Sequence, residues 1–154
     1  MKDRAKYEHT QPGTLMRIIL LVAILVCGSI SVGGFAAGNR GLGIGLAIPS
    51  VVMLVALVLF HSLHVRVSAE MLSLRFGIGL IRKSFAVADI ESAEPTRSRW
   101  YNGWGIKKIW GGWLFNVSGF DVVEIKLKNG KRYLIGTDQP KKLHAAIESV
   151  LANG

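Results

Sequence analysis

Residues 18–37 read IILLVAILVCGSISVGGFAA, and residues 41–60 read GLGIGLAIPSVVMLVALVLF. Neither run carries a charge. At about 1.5 Å per helical residue each reaches roughly 30 Å, the hydrocarbon thickness of a bilayer. Buried core helices are usually shorter and keep a polar stripe. Here only Ser29, Ser31 and Ser50 interrupt the apolarity, and a hydroxyl can bond its own helix backbone. The runs predict two transmembrane helices. The link Gly38-Asn39-Arg40-Gly41 can join only antiparallel neighbours, so the helices form a tight hairpin. Gly34 and Gly38 are four apart, as are Gly41 and Gly45. That spacing either lets helix backbones approach closely or simply makes the turn. Pro49 should kink the second helix or open a backbone carbonyl, which membrane helices tolerate.

The rest of the composition works outward from these runs. Of 154 residues half are hydrophobic, yet 19 Lys+Arg against 10 Asp+Glu give a net charge of +9. The mean hydropathy is +0.36. A disordered polyelectrolyte would not be this apolar. The charge divides as +2 over residues 1–17, +1 at Arg40 and +6 from residue 64 onward. By the positive-inside rule both termini lie in the cytoplasm, with the basic flanks meeting anionic headgroups. Nucleic acid is not needed to explain the charge. The basic start (Lys2, Arg4, Lys6, Arg17) would fit a signal peptide, but the apolar run is too long and a second span follows at once. One cysteine, Cys27, excludes a disulfide framework and a multi-cysteine metal site.

From about residue 64 the period becomes two. Strands are expected at 64–68, 71–76, 80–87, 90–97, 113–117, 122–127 and 132–135. The last two flank Asn129-Gly130, a strong hairpin turn. The period then lengthens. Thr137 or Asp138 can cap a helix with Pro140 in its first turn, and Leu143, Ile147, Val150 and Leu151 share one face. The expected division is 1–17 basic segment, 18–62 hairpin and 63–154 cytoplasmic domain.

Residues 100–106 (Trp-Tyr-Asn-Gly-Trp-Gly-Ile), Gly112-Trp113, Gly119, residues 123–131 and residues 135–140 (Ile-Gly-Thr-Asp-Gln-Pro) carry a resemblance. The chain resembles the bacterial PH-like membrane proteins, in which a transmembrane hairpin precedes a small pleckstrin-homology-like domain. The resemblance implies an α+β membrane protein. Its two transmembrane helices would be followed by a seven-stranded antiparallel β-barrel or sandwich capped by a C-terminal α-helix. An open sheet carrying the helix is the alternative. The resemblance also implies a bacterial plasma-membrane location and little chemistry. The usual phosphoinositide signature of PH domains places basic residues around the first hairpin; here that hairpin is Ser68-Ala69-Glu70-Met71, which is acidic.

All four tryptophans fall between Trp100 and Trp113. Trp100, Trp104, Trp110 and Trp113 interleave with Arg97, Arg99, Lys107 and Lys108. Aromatic rings with cations suit lipid headgroups or a protein partner; alternatively the rings fill a core or a corner. His61 and His64 have a spacing that could hold a metal, but only Glu70 is near them in sequence. Asp89, Glu91, Glu94, Asp121, Glu124 and Asp138 are scattered, and no catalytic motif is present. The expectation is a non-enzymatic, cofactor-free binding or scaffold module. Its alternative is an accessory subunit of a transport or envelope-stress complex, assembled through the hairpin at Gly34, Gly38, Gly41 and Gly45.

Overall fold

A computed structural model describes residues 5–153. In chain order the elements are β1 (Tyr7–Pro12), α1 (Thr14–Ala36), α2 (Arg40–Phe60), β2 (Ser62–Val67), β3 (Met71–Phe76), β4 (Ile81–Ala86), β5 (Ile90–Arg97), β6 (Gly105–Ile109), β7 (Gly112–Asn116), β8 (Asp121–Leu127), β9 (Arg132–Gly136) and α3 (Pro140–Leu151). Single 3-10 turns occupy Val87–Asp89 and Trp100–Asn102. Lys2 and Arg4 of the basic flank, and Gly154, lie outside the described residues.

The two apolar runs form two helices long and apolar enough to cross a membrane. α1 starts at Thr14, four residues before the apolar run, so it includes Arg17. Gly38 adopts φ +75. The Asn39 amide donates to the Gly34 carbonyl and the Gly38 amide to the Phe35 carbonyl. That pair of bonds is a Schellman stop, which needs a left-handed residue at Gly38. The Asn39 side chain then caps α2 by accepting from the Leu42 amide at 3.1 Å. The helices touch along one seam. A Cβ on Gly34 would meet the Gly43 nitrogen at 3.0 Å, and one on Gly43 would meet the Phe35 ring at 2.8 Å. Ser31 donates to the Gly43 carbonyl across the seam at 2.6 Å. α2 runs through Pro49 without interruption.

β1 and β2 are hydrogen-bonded neighbours in register from Tyr7↔Val67 to Pro12↔Ser62. The whole hairpin is therefore inserted between two paired strands. β1 lies in a stretch that reads from sequence only as a basic flank. Its inward side chains are Tyr7, His9 and Gln11, so period two had no aliphatic carrier there.

The strands make a four-stranded sheet, β1-β2-β3-β4, and a five-stranded sheet, β5-β8-β9-β7-β6. The expected seven-stranded antiparallel barrel or sandwich with a C-terminal helix is corrected in strand number, in strand direction and in barrel closure, while the two sheets and the final helix are present. There are nine strands among the described residues, and β7 pairs with β9 in parallel. β9 gives one edge to β8 through the Asn129-Gly130 hairpin and the other to β7, whose direction is fixed by its own hairpin with β6. The 3-10 turn at Val87–Asp89 separates β4 from β5 and leaves the sheets open. β6 escapes a period-two reading because Lys107 and Lys108 are adjacent; as an edge strand it needs only one partner.

The core lies between the sheets. Leu63, Leu74, Phe76, Ile125 and Ile135 are buried there with Leu143, Ile147 and Val150 of α3. α3 packs on β5 and β8. Each fully buried aliphatic or aromatic side chain contributes about 1.5–3 kcal/mol.

Candidate functional site

β5 and β6 are consecutive in sequence but lie on opposite edges of their sheet. Residues 98–104 must therefore cross it. They cover its outer face, where Leu114, Val122 and Leu134 form a small second cluster with Ile109 against them. The crossing is tied down at both ends. The Ser98 amide donates to the Phe120 carbonyl at 2.7 Å. Trp104 Nε1 donates to the Gly119 carbonyl at 3.0 Å, with its ring 6.0 Å from that of Phe120. Gly103 and Gly105 take φ +62 and +102, backbone that side-chain-bearing residues rarely adopt.

Between this crossing and the sheet lies a groove of about 400 Å³. Arg97, Arg99 and Tyr101 line it from the crossing side, Trp110 from the β6–β7 turn, and Glu124 and Arg132 from the sheet. Arg132 Nη1 sits 3.3 Å from Glu124 Oε1. Arg97 Nε is 3.4 Å from Asp121 Oδ1. Arg99 has no carboxylate partner among the described residues; its Nη1 donates to the Tyr101 hydroxyl at 2.6 Å. That hydroxyl raises Arg99 above its already high ordinary value, so the guanidinium is always charged. Arg97 and Arg132 are each matched to a carboxylate, which leaves Arg99 as the cation of the groove able to take an acidic group.

The aromatic–basic residues proposed from sequence are thus divided. Arg97, Arg99 and Trp110 line the groove. Trp104 is a fastening of the crossing. Trp100 is 80% exposed and Trp113 is 41% exposed, and neither lines it. Lys107 and Lys108 are exposed on edge strand β6, where lysines discourage pairing with another chain. Asn102 of the crossing and Glu124 and Arg132 of the sheet complete the groove. No local signal marks Glu124 and Arg132 for this place, because only the strand order brings β8 and β9 under the crossing.

The hairpin glycines divide similarly. Gly34 is at the seam and Gly38 makes the turn. Gly41 has only the Asn39 side chain near it, and nothing lies within 4 Å of a Cβ on Gly45. Gly43 is the residue that meets Gly34. His61 and His64 do not converge. His61 Nδ1 lies 2.9 Å from the Val58 carbonyl, whereas His64 lies between Thr10 and Glu8. No group of three metal-binding side chains occurs among the described residues.

Compared with protein-family models, curated proteins and solved structures, the chain matches none of them.

Proposed function

We propose that the chain is a membrane-anchored, non-enzymatic binding module of the PH-like kind, held at the cytoplasmic face of a bacterial plasma membrane. Its groove would recognise an acidic segment of a protein partner. The observation that carries this reading is Arg99. It is a permanent cation without a carboxylate partner among the described residues, beside Tyr101 and Trp110 in a groove closed on one side by the crossing. Aromatic and arginine side chains in a recess are the usual anchors of protein recognition. Bidentate guanidinium geometry suits a carboxylate.

The PH-like reading draws support from strand order. Without the β6–β7 hairpin, seven strands remain, all antiparallel to their neighbours (β1-β2-β3-β4 and β5-β8-β9), followed by one helix. Membrane anchoring draws support from the exposed apolar faces of α1 and α2, which water would not tolerate at this length. Because β1 and β2 are paired, both outer ends of the hairpin lie on one side of the bilayer. The basic residues of the domain favour the cytoplasmic side. Assembly of a larger complex through the hairpin glycines has less to rest on, since Gly34 is already covered by Leu42 and Gly43.

A photo-crosslinking residue at Trp110, in native membranes, tests the groove. A discrete crosslinked protein should appear and should be lost on Arg99→Glu. A crosslinking pattern unchanged by that charge reversal would remove the groove from the proposal.

A further inference from the structure

The turn between β3 and β4, residues 77–80, lies beside the last turn of α2. A Cβ on Gly77 would collide with the carbonyl oxygens of Val58 and Leu59. The Gly77 amide donates to the Ser62 carbonyl at 2.9 Å, directly after α2 ends. The tip of this turn carries two large aliphatic side chains. Ile78 is 60% exposed and Leu80 is 73% exposed. They follow one and three residues after Gly77, whose backbone lies against the last turn of α2.

Next to the tip the charge pattern is equally particular. Arg75 and Arg82 are directly opposite each other across β3 and β4. Like charges in that position are destabilising unless something lies between or over them. Neither has a carboxylate within ion-pair distance among the described residues, and Arg82 Nε donates only to the Gly79 carbonyl, at 2.5 Å. His64 neighbours Arg75 on the next strand, with Glu8 Oε1 3.2 Å from its Nε2. The row therefore presents cations just outside an apolar tip.

We propose that the β3–β4 turn is a second bilayer contact. Ile78 and Leu80 enter the boundary between headgroups and acyl chains, and the Arg75–Arg82 pair holds the phosphate of an anionic phospholipid. Long cationic side chains reach headgroups from such a depth. The inference rests on the hairpin spanning the membrane. It adds that the four-stranded sheet stands on the bilayer by its own turn, in a fixed orientation.

Nitroxide labels placed one at a time in a Cys27→Ser background test it, with the full chain in phosphatidylcholine vesicles containing phosphatidylglycerol. Labels at Ile78→Cys and Leu80→Cys should be relaxed by oxygen and shielded from a water-soluble nickel chelate, as should a label at Val51→Cys in α2. A label at Ser84→Cys, further along β4, should be open to nickel. If positions 78 and 80 behave like 84 while 51 is shielded, the turn contact is overturned and the spanning hairpin stands. If 51 is also open to nickel, both fall. Omitting phosphatidylglycerol should make label 78 shallower, and inorganic phosphate in the buffer should not restore its depth. Arg75→Gln/Arg82→Gln should abolish that lipid dependence; its persistence would remove the arginines from the contact.

Discussion

Arg17 and His61 close the base of the helical hairpin. Arg17 Nε and Nη2 both donate to the His61 carbonyl, at 3.1 and 2.9 Å, and the Gly13 amide donates to the same oxygen at 2.8 Å. A cation at the C-terminal end of α2 also opposes the helix dipole there. Gly13 and Gly77 approach the neighbouring carbonyls too closely for any Cβ. The hairpin is thus fixed to the sheet without a flexible joint.

Arg17→Met should loosen this base. It removes two charged hydrogen bonds but leaves the carbonyl its Gly13 donor, so the loss should be about 1–2 kcal/mol. Denaturant unfolding of detergent-solubilised protein would measure it, and an unchanged midpoint would show that Arg17 is not a fastening.

Gly77→Ala should also destabilise the chain. It combines φ +49 with a collision against carbonyls that cannot move without shifting α2. The expected loss exceeds about 1 kcal/mol. Within the hairpin, Gly43→Ala should lower the melting temperature by pressing on Phe35. Gly45→Ala should leave it unchanged or raise it, since alanine is the better helix former and the space is open. Equal effects at 43 and 45 would contradict the seam.

Trp104→Ala should destabilise the domain by about 1–3 kcal/mol, having lost a hydrogen bond and the Phe120 contact. Trp110 is 97% exposed, so Trp110→Ala should change stability by less than about 0.5 kcal/mol. Thermal melts of the two variants separate the tryptophan that fastens from the one that is exposed.

Tyr7 sets an alkaline limit. Burial raises its phenol above the ordinary 10.0, nearby Asp138 adds to the rise, and Thr137 opposes it. The hydroxyl falls short of hydrogen-bond geometry with any neighbour among the described residues. A group whose folded pKa is raised contributes stability that is full below the unfolded value and is lost as pH climbs through the folded one. Wild-type stability should therefore fall above pH 10.0 more steeply than that of Tyr7→Phe. At neutral pH Tyr7→Phe should be neutral or stabilising, because it removes an unpaired buried hydroxyl. Unfolding midpoints across the alkaline range, compared between the two proteins, would check both.

Much of this architecture is legible in the sequence because it rests on strong local signals. Uninterrupted apolarity marks α1 and α2, Gly38-Asn39 their turn, Asn129-Gly130 the β8–β9 hairpin, and the Leu143–Ile147–Val150 face α3. What escapes depends on partners distant in sequence. Gln11 is buried against a partner 107 positions away, its Nε2 donating to the Ser118 carbonyl at 2.9 Å. The parallel pairing of β7 with β9 has no local mark. Arg132 and Glu124 enter the groove only because the chain crosses from one sheet edge to the other. The tryptophan cluster was visible as a cluster, but not its division between fastening and exposure.

The insertion of the hairpin between ladder partners has a consequence for biosynthesis. Pro12 leaves the ribosome with its partner Ser62 still unmade. At about 5–20 residues per second, several seconds pass before both helices are complete and β2 follows. During that interval β1 is an open edge with no sheet to join. Its polar inward side chains, Tyr7, His9 and Gln11, suit a strand that must wait, since an aliphatic one would invite aggregation over the same seconds.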